Sequence, residues 1–240
     1  MNAIVADNLT KKYGSFTAVD NLSFRVRKGE VFGLLGANGA GKSTAIECVL
    51  GTKSADIGTV SIFGSDPQKD RKNLFQKIGV QFQQCDYQPE IKVSELCEET
   101  ACLYKNPTDW KELCSRFGIG DKLNAAVKSL SGGERQRLFI VLALIPEPQL
   151  VFLDELTTGL DAKARRGVWK ILSDLKSKGL TIFLTSHFMD EVETLCDEIC
   201  ILRQGKAVFY GTVEQAKQES GCEKFEDAYL MLSDEEREEE

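Results

Sequence analysis

Long apolar runs are missing from this chain. Although 42% of its 240 residues are apolar, none of the runs approaches the roughly 18 consecutive apolar residues that a membrane-spanning helix needs. The first twenty residues carry no charged-then-apolar-then-small pattern, so no secretory signal is read there. Histidine is nearly absent: His187 is the only one, and it is remote in sequence from any cysteine cluster. The eight cysteines, Cys48, Cys85, Cys97, Cys102, Cys114, Cys196, Cys200 and Cys222, include no Cys-x-x-Cys pair, so metal-site spacing is lacking. A disulfide framework is not expected without a secretory signal. Cys196 and Cys200, four apart near a helix-to-strand junction, are expected to form a buried, reduced pair. A basic patch is missing too. Of the net charge of −7, residues 234–240 supply −5, leaving the body nearly neutral. Nucleic acid is therefore not the expected partner, and the acidic end reads as a solvated tail. There is no internal repeat and no low-complexity stretch beyond that tail.

What is present suits one large globular domain, or one domain with a subdomain. The apolar content is too high for disorder. Short apolar runs alternate with helical segments, which predicts an α/β fold with a largely parallel sheet. Val31–Leu35, Leu150–Leu153 and Leu180–Thr185 read as buried strands. Ile4–Ala6, Leu22–Val26 and Thr59–Phe63 alternate, as half-exposed antiparallel strands do. Glu198–Tyr210 reads as a hairpin turning at Gln204-Gly205. Lys42–Leu50 and Ala162–Lys178 read as helices, the second stopped by Gly179. From about Tyr87 to Leu130 β-branched runs disappear, and short helices are expected over Ser94–Lys105, Thr108–Phe117 and Asp121–Val127, with Ser94 and Thr108 as N-caps.

The pattern Gly36-Ala37-Asn38-Gly39-Ala40-Gly41-Lys42-Ser43 fits G-x-x-x-x-G-K-[S/T], after a strand and at the start of a helix. Glycines let successive backbone N–H groups converge on an anion. The helix start adds bare N–H groups and its positive dipole end. Lys42 supplies a mobile charge for phosphates and Ser43 a hydroxyl for Mg²⁺. Asp154 and Glu155 end the strand Leu150–Leu153. A carboxylate at such a tip suits a Mg²⁺ ion, and the next one suits activation of an attacking water. His187 follows a buried strand, where ligand sites form in open α/β sheets. Ser131 and two glycines open a helix running to about Ile145, stopped by Pro146 and Pro148. That helix start is a second end fit for phosphate.

Leu130-Ser131-Gly132-Gly133-Glu134-Arg135-Gln136 resembles the signature motif of ATP-binding cassette (ABC) ATPases, and it lies upstream of the Asp-Glu strand as in that family. The resemblance spans about residues 3–215. It implies a P-loop NTPase (RecA-like) core with an antiparallel β subdomain and an inserted helical subdomain. The expected layout is a single domain over 1–233, with the core in about 1–86 and 131–215. The helical subdomain takes about 87–130, a short C-terminal helical segment 216–233, and the acidic tail 234–240. The resemblance further implies ATP and Mg²⁺ as ligands. Tyr13 is similar to the aromatic that stacks on adenine, and Gly36 through Lys42, Ser43 and Thr44 to the phosphate cradle. Ser43, Asp154 and Gln83, the last chosen over Gln81 and Gln84 by register with Ile78-Gly79, are implied at the metal. Glu155, His187 and Gln83 are implied in catalysis. Ser131, Gly132, Gly133 and Asp161 are implied to act in trans, in a head-to-tail dimer; Asp161 also reads as the N-cap of the next helix. One departure stands out: Leu156 occupies a position where the family usually has proline, which is expected to alter loop stiffness without loss of activity.

A lone ATPase of this kind resembles the energising subunit of a transporter of the bacterial exporter type. The implied partners are a second ATPase subunit, a homodimer being the first reading, and a separate integral membrane permease docking near the Gln83 loop and the helical subdomain. The chain is then expected on the inner face of the cell membrane, held there by its partner. A soluble ABC ATPase in cofactor assembly, or a regulatory module with little turnover, is the competing reading. Repair-type ATPases carry a long coiled-coil insertion, for which the 47 residues between Gln83 and Ser131 leave no room.

Overall fold

The computed structural model describes residues 1–81, 87, 88 and 90–233. The chain divides into two compact units: Met1–Leu74 with Phe183–Glu240, and Phe75–Ile182. In chain order the strands are β1 (Asn2–Tyr13), β2 (Phe16–Arg27), β3 (Val31–Leu35), β4 (Ile57–Ile62), β5 (Ile78–Gln81), β6 (Leu150–Leu153), β7 (Thr181–Leu184), β8 (Glu198–Arg203) and β9 (Lys206–Gly211). The helices are α1 (Lys42–Val49), α2 (Arg71–Leu74), α3 (Val93–Cys102), α4 (Trp110–Arg116), α5 (Gly132–Leu144), α6 (Ala162–Ser177), α7 (Met189–Leu195), α8 (Val213–Ser220) and α9 (Phe225–Ser233).

In the first unit β1 pairs antiparallel with β2 on one side and β4 on the other. Residues Leu22, Phe24 and Val26 point inward between exposed Asn21, Ser23, Arg25 and Arg27, the alternation of a sheet with one wet face. β3 is buried along its whole length, as its unbroken apolar run predicts, and it pairs parallel with β8. β8 turns back on β9 as the expected hairpin. Phe24 stacks on Phe32 at 5.2 Å, and Phe183 lies 5.3 Å from Phe32, joining three strands through aromatic packing. Helices α8 and α9 complete this unit: Val213, Ala216, Phe225, Ala228 and Tyr229 pack with Ile199, Ile201 and Phe209. Cys200 is fully buried in β8, while Cys196, capping α7, is only half-buried; both are thiols.

In the second unit β5 and β6 run parallel, Gly79 opposite Val151 and Gln81 opposite Leu153. Helix α5 crosses β5 so closely that a Cβ at position 79 would lie 1.8 Å from the Ala143 carbonyl oxygen. We expect Gly79→Ala to cost about 3 kcal/mol and to lower the unfolding temperature by roughly 6–12 °C. Calorimetry that finds the midpoint unmoved contradicts this packing. Helix α6 buries Val168, Trp169 and Leu172 and ends where Gly179 takes a positive φ of 100°.

The helices between β5 and α5 differ from expectation at their starts. α3 begins one residue earlier than Ser94, with Lys92 at the N-cap; the Lys92 N–H donates to Glu95 at 2.9 Å, so the first-turn acid does the capping. α4 is capped by Asp109, not Thr108, because a carboxylate reaches two N–H groups, those of Lys111 and Glu112. Residues 121–127 do not form an α-helix. The Val93 N–H donates to the Ala125 carbonyl and the Val127 N–H to the Ile91 carbonyl. These bonds pin residues 125–127 against residues 91–93, and the rest of the segment turns, with 3₁₀ helices over Gly120–Lys122 and Val127–Ser129.

Candidate functional site

In the first unit β3 delivers the chain into the loop 36–41, and α1 starts at Lys42. Gly41 has φ 104°, and a Cβ there would lie 2.2 Å from the Ala18 carbonyl oxygen, so only glycine fits. The hairpin turn clamps this loop from the side. The Gly205 N–H donates to the Ala40 carbonyl at 2.9 Å, and the Gly205 carbonyl accepts the Asp20 N–H at 2.8 Å. Ala37, Asn38 and Gly39 stay exposed, as does Ser43 in the first turn of α1; Thr44 beside it is half-buried. The buried Lys42 ammonium donates to the carbonyls of Gly36 at 2.6 Å and Ala37 at 3.0 Å, folding over the loop it belongs to. A phosphate seated among the loop N–H groups would meet that charge directly.

Tyr13 ends β1 at a two-residue hairpin and pairs with Phe16. Both rings are exposed, at 44% and 61%. The ammonium groups of Lys11 and Lys53 each lie 5.6 Å from the centre of the Tyr13 ring, held in turn by Asp56 and Glu47. Phe16 escaped the sequence reading; aromatics on both sides of Gly14-Ser15 were the available signal. His187 is exposed just after β7, on a turn in which the buried Ser186 hydroxyl accepts the Phe188 N–H at 3.0 Å.

In the second unit the fully buried β6 leads into half-buried Asp154 and Glu155. Gln81 and Asp154 are tied twice: the Asp154 N–H donates to the Gln81 carbonyl at 3.1 Å, and the Gln81 carboxamide donates to the Asp154 carbonyl at 3.1 Å. Gln83 lies outside the described residues. Glu155 has φ 53°, a left-handed conformation that is uncommon for a non-glycine residue. Its carbonyl accepts from the Thr158 N–H at 3.2 Å and from the Gln136 carboxamide at 3.1 Å.

Helix α5 opens with a capping box. The Ser131 hydroxyl accepts the Glu134 N–H at 3.2 Å and donates to the Glu134 carboxylate at 2.9 Å, which also accepts the Ser131 N–H. Lys122 stands 3.2 Å from the other carboxylate oxygen. The Ser131 N–H and hydroxyl, then Lys122, bring the Glu134 carboxyl down to about 2. Ser131 and Gly132 remain exposed. Gly133 abuts the loop before α6, since a Cβ on it would lie 3.3 Å from the Gly159 carbonyl oxygen. Asp161 is the N-cap of α6, accepting the N–H groups of Lys163 and Ala164 at 2.9 Å; these bonds, the Ala164 one foremost, hold its carboxyl below the usual range, and the Arg137 charge adds to them. Ser131, Gly132, Gly133, Glu155 and Asp161 are thus gathered in this unit around one end of α5.

The sequence profile of the ABC transporter family matches residues 19–158. The chain is 40% identical over 232 residues to the Nod factor export ATP-binding protein I of Rhizobium etli, covering 94% of this chain and 73% of that protein. The chain belongs to the ABC transporter family. Its fold agrees with the solved ATP-binding subunit of an ABC transporter at a TM-score of 0.88 and 26% identity, over 96% of this chain and 99% of that one. A dimeric bacterial ABC transporter cassette superposes at 0.79 with 24% identity, over 87% of this chain and 98% of that one, and shares the fold. In this ABC cassette Leu156 is fully buried. Proline there would restrict the backbone of the preceding residue; leucine leaves Glu155 free to take its positive φ. Among the described residues no helix is long and apolar enough to cross a membrane. In the first unit the Ser43 hydroxyl is exposed, and in the second the Asp154 carboxylate is half-buried; each is a hard oxygen, the ligand type that suits Mg²⁺.

Proposed function

We propose that this chain is the ATP-hydrolysing subunit of an exporter, working as a pair of copies that close on ATP and thereby drive a separate membrane-spanning partner. The observation that carries the reading is the pair of phosphate-ready ends in one chain: the glycine loop with Lys42 folded into it, and the exposed, capped start of α5 at Ser131. In a head-to-tail dimer the loop Gly36–Thr44 of one copy holds the triphosphate, and Ser131, Gly132, Gly133 and Asp161 of the other reach its γ-phosphate. Tyr13 stacks on the adenine. Glu155 orients and deprotonates the attacking water, and His187 contacts the γ-phosphate. Ser43 and Asp154, with Gln83, would hold Mg²⁺, which when bound neutralises phosphate charge. The membrane partner docks beside the Gln83 loop and the helices from α3 to α4, and it keeps the chain at the inner face of the cell membrane.

The acid in the signature motif sets one condition. Glu134 stays ionised close to where the second copy's phosphate arrives, and Lys122 offsets it. Lys122→Glu is therefore expected to raise the ATP concentration for half-maximal turnover about fivefold, and Glu134→Gln in that background to restore it. A Lys122→Glu chain with parental ATP dependence contradicts this reading of the motif.

The role is tested by recovering the tagged chain from detergent-solubilised native membranes. We expect a multi-spanning membrane protein in stoichiometric amount. Recovery of soluble proteins alone, with ATPase activity intact, moves the assignment to a soluble assembly or regulatory ATPase.

A further inference from the structure

We propose that Gln136 is a positioning residue for Glu155, the link through which the helix opened by Ser131 sets the group that activates water. The inference rests on the proposed reading of Glu155 as the general base. Gln136 lies five residues into α5 from Ser131, about 7.5 Å along the axis. Its carboxamide nitrogen donates to two successive carbonyls, Glu155 at 3.1 Å and Leu156 at 2.8 Å, engaging both of its N–H groups. These two carbonyls bracket the backbone that leaves Glu155. That backbone holds a left-handed φ of 53°, which a non-glycine residue keeps only where its surroundings impose it. The Thr158 N–H takes the remaining acceptor position of the Glu155 carbonyl.

The consequence is mechanical. Leu156 is fully buried, so its carbonyl has no solvent to fall back on if Gln136 withdraws. A shift of α5, such as seating Ser131 on the other copy's phosphate would produce, is carried through one doubly bonded side chain to the turn from which the Glu155 carboxylate projects. Reacting geometry is sensitive to displacements on the order of 1 Å. Phosphate engagement by one end of α5 and alignment of the base at its flank are in this way one movement.

The test uses the full chain. Gln136→Met keeps the side-chain length and removes both donors. We expect kcat for ATP to fall about 10- to 100-fold with KM within about twofold of the parent. Gln136→Lys, which keeps a donor of similar reach, is expected to recover most of the loss. The decisive arm is the double variant. Because Gln136 acts through Glu155, adding Gln136→Met to Glu155→Gln should leave the residual turnover unchanged, while the double variant still dimerises in ATP. Two outcomes overturn the proposal: Gln136→Met with parental kcat, or the same fold-loss in the Glu155→Gln background as in the parent, the mark of a merely structural role. Failure of the underlying reading shows separately, as undiminished turnover in Glu155→Gln alone.

Discussion

Glu155→Gln is expected to stop turnover, keep ATP binding and convert the chain from monomer to dimer when ATP is added. The expected loss in kcat is about 10²- to 10⁴-fold, the range a positioned general base supplies. The amide is isosteric with the carboxylate, so the backbone bonds that shape this turn, from Thr158 and Gln136 to the Glu155 carbonyl, are untouched. The glycine loop and Lys42 belong to the other compact unit and keep their own hydrogen bonds. Binding therefore survives while the step that would release the pair is lost. Gel filtration with and without ATP reads the result, and a variant that elutes only as a monomer in ATP contradicts it.

Ser131→Arg has the converse effect. We expect the monomer still to bind nucleotide, because the glycine loop is unaltered, and two copies to close no longer. Arginine removes the hydroxyl proposed to reach the second copy's phosphate and fills the exposed start of α5. We expect ATPase activity to drop at least about 100-fold, the effect of losing a preorganised donor at a phosphate or oxyanion. Part of the change is local: losing the N-cap costs about 1 kcal/mol of stability. Ser131→Ala isolates the contribution of the bulk, since it loses the cap and the hydroxyl without adding it. A fluorescent ATP analogue measures binding and phosphate release measures turnover. Unchanged turnover in Ser131→Arg contradicts a site shared between copies.

Much of this was legible where a local pattern has one physical solution. The unbroken run Val31–Leu35 could only be a buried strand, and β3 is buried at every position. Gln204-Gly205 between two alternating runs could only be a tight turn, and β8 and β9 flank it. Ser131, followed three residues later by Glu134, spells the capping box that α5 displays. The losses came where distant residues decide. Residues 121–127 looked helical, but carbonyls and N–H groups of residues 91–93 claim their backbone. Thr108 and Asp109 are both capable caps, and only the carboxylate's reach to two N–H groups separates them. The carboxamide bridge from Gln136 to Glu155 and Leu156 joins positions 19 and 20 apart in sequence, and no spacing rule announces it. The antiparallel strands near the start were expected in kind but not in extent: β1 runs to Tyr13 and pairs there with β2, which places that aromatic on a hairpin tip with Phe16.

The central claim is that a working nucleotide site needs two copies of the chain. It is tested most directly by the specific ATPase activity of the purified chain over a hundredfold range of its own concentration, at saturating ATP and Mg²⁺. The shared site predicts activity per chain that is low in dilute solution, climbs as copies meet and then levels off. Specific activity that is constant across the range means that one chain completes the site alone, and it contradicts the account.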